Sequence, residues 1–140
     1  MKHKYKYKYK YEEPLEEYYH TSKYKLQIGN STISNAGKGV FADECIECNT
    51  LIDYYYGDEI EYIDTGSYFV GFEDGSRILG IDASSFPRCY MAMVNDAYQT
   101  QFINNCRLDI IDEKIEIWSI MDIYPGQELF MSYGSNYWNT

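Results

Sequence analysis

A mostly β fold is what this sequence predicts, and three observations predict it. Seventeen tyrosines and six phenylalanines favour strands, where aromatic side chains suit a pleated, half-buried surface. Short alternating runs of apolar and polar residues recur along the chain, punctuated by Gly, Asn, Asp and Pro, the spacing of a compact β domain. Only one stretch has helix-like features. At 140 residues the chain has the length of one domain able to bury a respectable core.

Residues 1–23 stand apart from the body at 24–140. "KHKYKYKYKY" alternates Lys and Tyr, and "EEPLEEYY" then reverses the charge. The alternation fits an edge strand with one aromatic face. It fits equally a low-complexity tail kept solvated by its lysines. Lysine interleaved with aromatics also suits weak binding to single-stranded nucleic acid.

From Tyr24 the elements follow in order. "YKLQIG" alternates and ends at Gly29-Asn30, and "GKGVFA" follows a polar Ser-Asn turn. "NTLIDYYYG" predicts a strand after a turn at Cys48-Asn49. "SYFVGFEDGSRILGIDA" predicts a hairpin, because Asp74-Gly75 separates two alternating runs. "SSFPRCYMAMVND" is the helix-like stretch, with serine caps and an early proline. "RLDIIDEKIEIWSI" predicts a second hairpin turning at Asp112 to Lys114, and "ELFMSY" a last strand. That strand brings Tyr133 to a defined place, where an ordinary chain end would be polar and loose.

The net charge of -10 is unevenly spread. Lys2, Lys4, Lys6, Lys8, Lys10, Lys23 and Lys25 precede the body, which from Leu26 on carries only Lys38, Arg77, Arg88, Arg107 and Lys114 as basic residues. An acidic body speeds encounter with basic partners and repels nucleic acid. No apolar run is long enough to span a membrane, and no apolar segment follows the N-terminal lysines as a secretory signal would require. The expectation is an intracellular protein. Cys45 and Cys48 have C-x-x-C spacing, but Cys89 and Cys106 are isolated and both histidines, His3 and His20, lie in the N-terminal segment. A four-ligand zinc site is not expected, and reduced thiols are.

Several segments, in order, resemble the SET-domain family of lysine methyltransferases. "SNAGKGVFA" is similar to the family's G-x-G segment, and "CIECNTLIDYYYG" to the strands ending in Tyr-x-Gly. "LGIDA" resembles its Ile-Asp-Ala strand, "VNDA" its Asn-His signature and "NNC" its Pro-Asn-Cys. "DIYPGQELFMSYG" is similar to its closing Gly-x-Glu-Leu-x-x-x-Tyr-Gly. The resemblance covers residues 33 to 138, and the ending "YGSNYW" is like that of short viral members without a post-SET module. It implies a β-clip-like fold of small curved sheets, one or two short helices and a knot-like C-terminal crossing.

The resemblance also implies a chemistry: transfer of a methyl group from S-adenosylmethionine to a lysine, in a histone tail by expectation and hence in the nucleus. Such a reaction needs aligned reactants, which lowers a barrier by about 7–11 kcal/mol at best. It also needs a neutral amine, whereas a lysine of pKa ~10.4 is charged at neutral pH. Desolvation in an aromatic channel disfavours that charge, and tyrosine offers both apolar area and a hydroxyl. By resemblance Tyr133 is the catalytic tyrosine and shares the lysine channel with Tyr55. Lys38, Gly39, Tyr90, Asn95, Asp96 and Trp138 map to the donor site, with no metal.

Three positions depart from the family pattern. Asp96 replaces a His, Ala92 sits where many members carry an Arg, and the Asp96–Asn105 loop is longer. Two rival readings stand beside the enzyme: a SET-like module that only binds a basic peptide, and a small β domain gripping nucleic acid with its Lys/Tyr arm. A homodimer completing its own site is a further expectation.

Overall fold

A computed structural model describes residues 2–3, 19–20, 22–61, 68–74, 77–85 and 87–134. The architecture is mostly β, in small sheets. The strands are β1 (Lys2–His3), β2 (Tyr19–His20), β3 (Leu26–Asn30), β4 (Lys38–Ala42), β5 (Leu51–Tyr54), β6 (Asp58–Glu61), β7 (Phe69–Asp74), β8 (Arg77–Asp82), β9 (Arg88–Cys89), β10 (Cys106–Ile111) and β11 (Lys114–Ser119). A 3₁₀ helix, Tyr90–Met93, follows β9.

Each sheet follows from local pattern. In β11 the alternation KIEIWS buries Ile115, Ile117 and Ser119 on one face, the period-two signature of a strand. It pairs antiparallel with β10 across a two-residue loop, Asp112-Glu113, both at positive φ (50° and 64°). That is the backbone of the tight hairpin turn whose twist matches the strands. On its other side β11 pairs with β5, with a register shift between Ile117 and Trp118. β3 and β4 form a second ribbon.

The third sheet runs β1-β7-β8-β6. The predicted β7–β8 hairpin forms, pairing Asp74 with Arg77; Gly75 of its expected turn lies outside the described residues. Gly71 faces Gly80 across this hairpin, and a Cβ at Gly80 would stand 2.2 Å from the Val70 carbonyl oxygen and 2.8 Å from the Phe69 ring. A glycine here admits the close backbone approach and the covering ring.

Two elements differ from the sequence reading. β6, "DEIE", is an exposed edge strand on β8, and its polar composition gave no alternation to read. The helix-like stretch 84–96 yields a single 3₁₀ turn, because Arg88 and Cys89 are drawn into a parallel pair with β2. All four residues of that turn are buried, with no side-chain cap. Of the N-terminal segment, Lys2–His3 lie as an edge strand on β7 and Tyr19–His20 on β9; residues 4–18 lie outside the described residues.

The core gathers Val40, Ile46, Ile52, Met91, Ile115, Ile117, Ile123, Leu129 and Met131, all essentially inaccessible. Through it runs the closing segment 128–133. Leu129 N–H donates to the Val40 carbonyl (2.8 Å), Met131 N–H to that of Asn95 (2.9 Å), and the Phe130 carbonyl accepts from Cys106 N–H (2.9 Å). The segment thus bridges β4, the Asn95 stretch and the start of β10. This is the crossing that the resemblance implied. No helix among the described residues is long and apolar enough to cross a membrane.

Candidate active site

The crossing fixes Tyr133 at both ends. Its backbone N–H donates to Asp96 Oδ2 (2.7 Å) and its hydroxyl donates to the Val94 carbonyl (2.7 Å). The residue is buried, 8% exposed. Asp96 is buried too, and its other oxygen accepts from Tyr98 N–H (2.9 Å) and Asn104 Nδ2 (3.3 Å). The residue in the family's His position therefore acts here through its carboxylate, by holding the Tyr133 backbone. Asn104 also accepts from Ala97 N–H (2.9 Å), which closes the longer 97–104 loop back onto Asp96.

Tyr55 lies within electrostatic reach of Tyr133. Burial pushes its phenol well above the ordinary tyrosine range, with Cys89, Tyr133 and Tyr68 adding in that order and the Arg88 guanidinium opposing. It is neutral at physiological pH, and its hydroxyl donates to the Tyr68 carbonyl (2.6 Å). The register is now fixed: Tyr55 is buried, while Tyr56 is 45% exposed. Strand alternation around β5 accounts for the difference.

Arg88 and Tyr68 are site residues that sequence reasoning missed. The guanidinium stacks 3.9 Å from the Tyr68 ring centroid and donates to the carbonyls of Ala83 (3.0 Å) and Ser84 (2.8 Å). It brings a buried cation to this neighbourhood four residues before Ala92, which is itself fully buried in the 3₁₀ turn.

Three of the expected donor-binding residues, Lys38, Gly39 and Asn95, come together beside Glu128. Asn95 Nδ2 donates to the Lys38 carbonyl (3.0 Å) and to Glu128 Oε2 (3.2 Å). Glu128, also missed beforehand although it lies in the quoted "QELF", accepts further bonds from Ser31 Oγ (2.8 Å), Thr32 N–H and Thr32 Oγ1 (both 2.7 Å). Gly39 abuts this carboxylate: a Cβ there would stand 2.3 Å from Glu128 Oε2. Lys38 turns its ammonium to Asn30 Oδ1 (2.9 Å). Tyr90 is buried in the 3₁₀ turn, and Trp138 lies outside the described residues.

The chain's own chemistry fits the methyl donor at one atom in particular. Asn95 is 5% exposed, yet its Oδ1 accepts no hydrogen bond among the described residues. A buried amide oxygen without a donor is costly, and the ammonium of an amino-acid ligand would satisfy it. Among the described residues no His, Cys, Asp and Glu group has metal-site geometry. Cys45 and Cys48 are free and exposed.

Comparison with known proteins decides the family. The SET-domain family model matches residues 37–134. The chain belongs to the SET-domain family. Among solved structures it is similar to the methyltransferase domain of human PR domain-containing protein 2, at 18% identity and a TM-score of 0.61, covering 76% of this chain and 75% of that one. It is also similar to the Chaetomium thermophilum polycomb repressive complex 2, at 23% identity and a TM-score of 0.66, covering 81% of this chain but only 16% of that one. A further structure of that complex, bound to S-adenosylmethionine, matches at 24% identity and a TM-score of 0.65, covering 81% of this chain and 15% of that one. A search of curated protein sequences finds no matching relative. S-adenosylmethionine is the methyl donor of SET-domain methyltransferases, and Asn95 with the Lys38–Gly39 strand is where this chain would hold it.

Proposed function

We propose that the chain is a protein-lysine methyltransferase acting on basic protein tails, histone tails first among them. The observation that carries this reading is Tyr133, fixed at the crossing by Val94 and Asp96 and within electrostatic reach of a second buried phenol, Tyr55. S-adenosylmethionine, when bound, supplies an electrophilic methyl group on a sulfonium. The chain's residues do the rest.

The Tyr133 hydroxyl donates its hydrogen bond to the Val94 carbonyl, which leaves phenol lone pairs to accept a hydrogen bond from an amine. Tyr55 and Tyr68 provide apolar walls, and burial among them disfavours a charged lysine. Arg88, buried behind Tyr68, disfavours a second cation further. An amine that sheds its proton to water before entering is thus preferred, and the amine then has a free lone pair for in-line attack. The acidic body supplies the attraction for a lysine-rich tail.

Transfer of radiolabelled methyl groups to a panel of core histones, with Tyr133→Phe in parallel, tests the reading. Label in a histone band that falls by roughly 10²-fold in the variant, the scale of a lost alignment, supports it. Donor binding by calorimetry without transfer to any histone moves the substrate to another basic protein. Absence of donor binding removes the enzyme and leaves a peptide-binding module.

A further inference from the structure

Two departures from the family pattern meet in space. Asp96 stands in the position of the family's His, and Asn104 opens the "NNC" that resembles its Pro-Asn-Cys. An amide therefore replaces a residue whose side chain neither donates nor accepts. Asn104 uses both ends of that amide: Nδ2 donates to Asp96 Oδ1 (3.3 Å) and Oδ1 accepts from Ala97 N–H (2.9 Å). The loop between them is bonded within itself. Thr100 N–H and Oγ1 both donate to the Ala97 carbonyl (3.0 and 2.7 Å), and Oγ1 accepts from Phe102 N–H (3.0 Å). Gln99 takes a φ of 59° to close this turn.

So braced, the loop grips the closing segment in three places. Asp96 Oδ2 accepts from Tyr133 N–H (2.7 Å). The Phe102 ring stacks on Phe130, 5.4 Å between centroids and 21° between planes. Asn105 Oδ1 accepts from Phe130 N–H (2.8 Å) while its Nδ2 donates to the Glu128 carbonyl (2.9 Å). The grip on Tyr133 depends on where Asp96 aims. The terminal torsion of an aspartate is broad, so the direction of Oδ2 is set by what holds Oδ1. Tyr98 N–H holds that oxygen locally, two residues on (2.9 Å), as an Asp at a turn commonly arranges. Asn104 holds it from the far end of the loop, eight residues on, and so ties Asp96 to the strand that carries Tyr133.

We infer that Asn104 is a positioning residue for methyl transfer, acting through Asp96 to set where Tyr133 stands. The inference rests on the methyltransferase reading above. The Asp96 and Asn104 departures and the longer loop are then one device. A carboxylate takes over the Tyr133 backbone, and an amide at the loop's end keeps that carboxylate aimed. Asn104 itself touches neither substrate nor donor in this role.

The full chain is compared with Asn104→Ala, Asp96→Ala, the double variant and Asn104→Asp. For each, kcat and KM on core histones are measured beside S-adenosylmethionine affinity by calorimetry. Hydrogen exchange at the Tyr133 amide reports positioning independently of transfer. Asn104→Ala is expected to lower kcat by roughly 10- to 10²-fold, the scale of a misplaced reacting group, with KM and donor affinity unchanged and faster Tyr133 exchange. In the Asp96→Ala background the same change should cost nothing further, as two residues acting in series require. Asn104→Asp keeps the acceptor for Ala97 and so keeps the loop closed, but sets a second carboxylate against Asp96. Like charges raise one pKa of such a pair, and a shared proton recreates the donor, so its kcat relative to wild type should rise as pH falls. A merely structural role would not give that profile. An unchanged kcat and Tyr133 exchange in Asn104→Ala, or an equal loss with and without Asp96, overturns the inference and leaves the methyltransferase intact. A wild type that neither binds the donor nor labels a histone overturns both readings.

Discussion

The crossing at residues 128–133 and the outer sheet β1-β7-β8-β6 are built by opposite rules. In the outer sheet, β7 and β8 are neighbours in sequence, and their pairing is set by a hairpin. In the crossing, the backbone bonds join segments far apart: Leu129 to Val40, Met131 to Asn95, Phe130 to Cys106. Two buried carboxylates hold the crossing in place, Glu128 within it and Asp96 beside it, and each accepts several hydrogen bonds. The lesson is where precision resides. A hairpin tolerates change locally, whereas each donor at the crossing holds two or three distant segments at once.

The largest expected effect comes from breaking the crossing at Glu128. Glu128→Ala strands donors of Ser31, Thr32 and Asn95 in a buried place, a loss on the order of 3–5 kcal/mol. A fall in the denaturant midpoint at unchanged slope measures it. Gly39→Ala drives a Cβ into the same carboxylate and acts through it. The Gly39→Ala and Glu128→Ala costs are therefore expected not to add in a double-mutant cycle, and additivity would show that Gly39 matters for another reason.

Next comes Asp96→Ala, which removes a charged acceptor from the Tyr133 backbone. The expected cost is about 1.5–3 kcal/mol of stability, with a drop in methyl transfer that Asp96→Asn, which keeps an acceptor oxygen, largely restores. Tyr133→Phe separates the two readouts. It loses one hydroxyl bond, about 1 kcal/mol, while transfer falls by roughly 10²-fold. A variant equally poor in both would mark Tyr133 as structural.

In the outer sheet, Gly80→Ala is the sharpest probe. The added Cβ meets backbone at Val70 and Gly71, an overpacking cost of about 1–3 kcal/mol. Methyl transfer per folded molecule should hold, because the clash lies in the hairpin. Loss of activity beyond the loss of fold would show that the two regions are coupled.

Sequence legibility divides along the same line. The hairpins at 69–82 and 106–119 were readable, since alternation and turn residues act locally. So was the order of motifs around Tyr133, Tyr55 and Asn95. The partners of those motifs were not. Nothing in "SSFPRC" says that Arg88 will stack on Tyr68, and nothing in "QELF" says that Glu128 will hold Ser31 and Thr32, because those contacts span the chain. The sequence marks Asp96 only as a departure from the family's His; that its carboxylate holds the Tyr133 backbone is visible only once Asn104 and Tyr133 are in place.

The smallest effect at neutral pH belongs to Cys106, at the start of β10 against the crossing. Burial raises its thiol from 9.0 to about 12, opposed by a backbone hydrogen bond from Phe130. Below pH 9 the thiol is neutral whether the chain is folded or not, so it adds no slope. Above that value the unfolded chain sheds the proton while the folded chain keeps it, and unfolding releases a proton. Stability contributed by the neutral buried thiol is therefore complete below about pH 9 and is lost as pH rises toward 12. Cys106→Ala should leave the midpoint at pH 7 nearly unchanged, apart from a modest packing loss, and should flatten the alkaline decline. A decline of equal steepness in the variant would assign it to Tyr55, whose raised phenol has the same sign and begins one step higher, near pH 10. The crossing would then be insensitive to its thiol, and the alkaline limit of the fold would lie at the buried Tyr55 phenol.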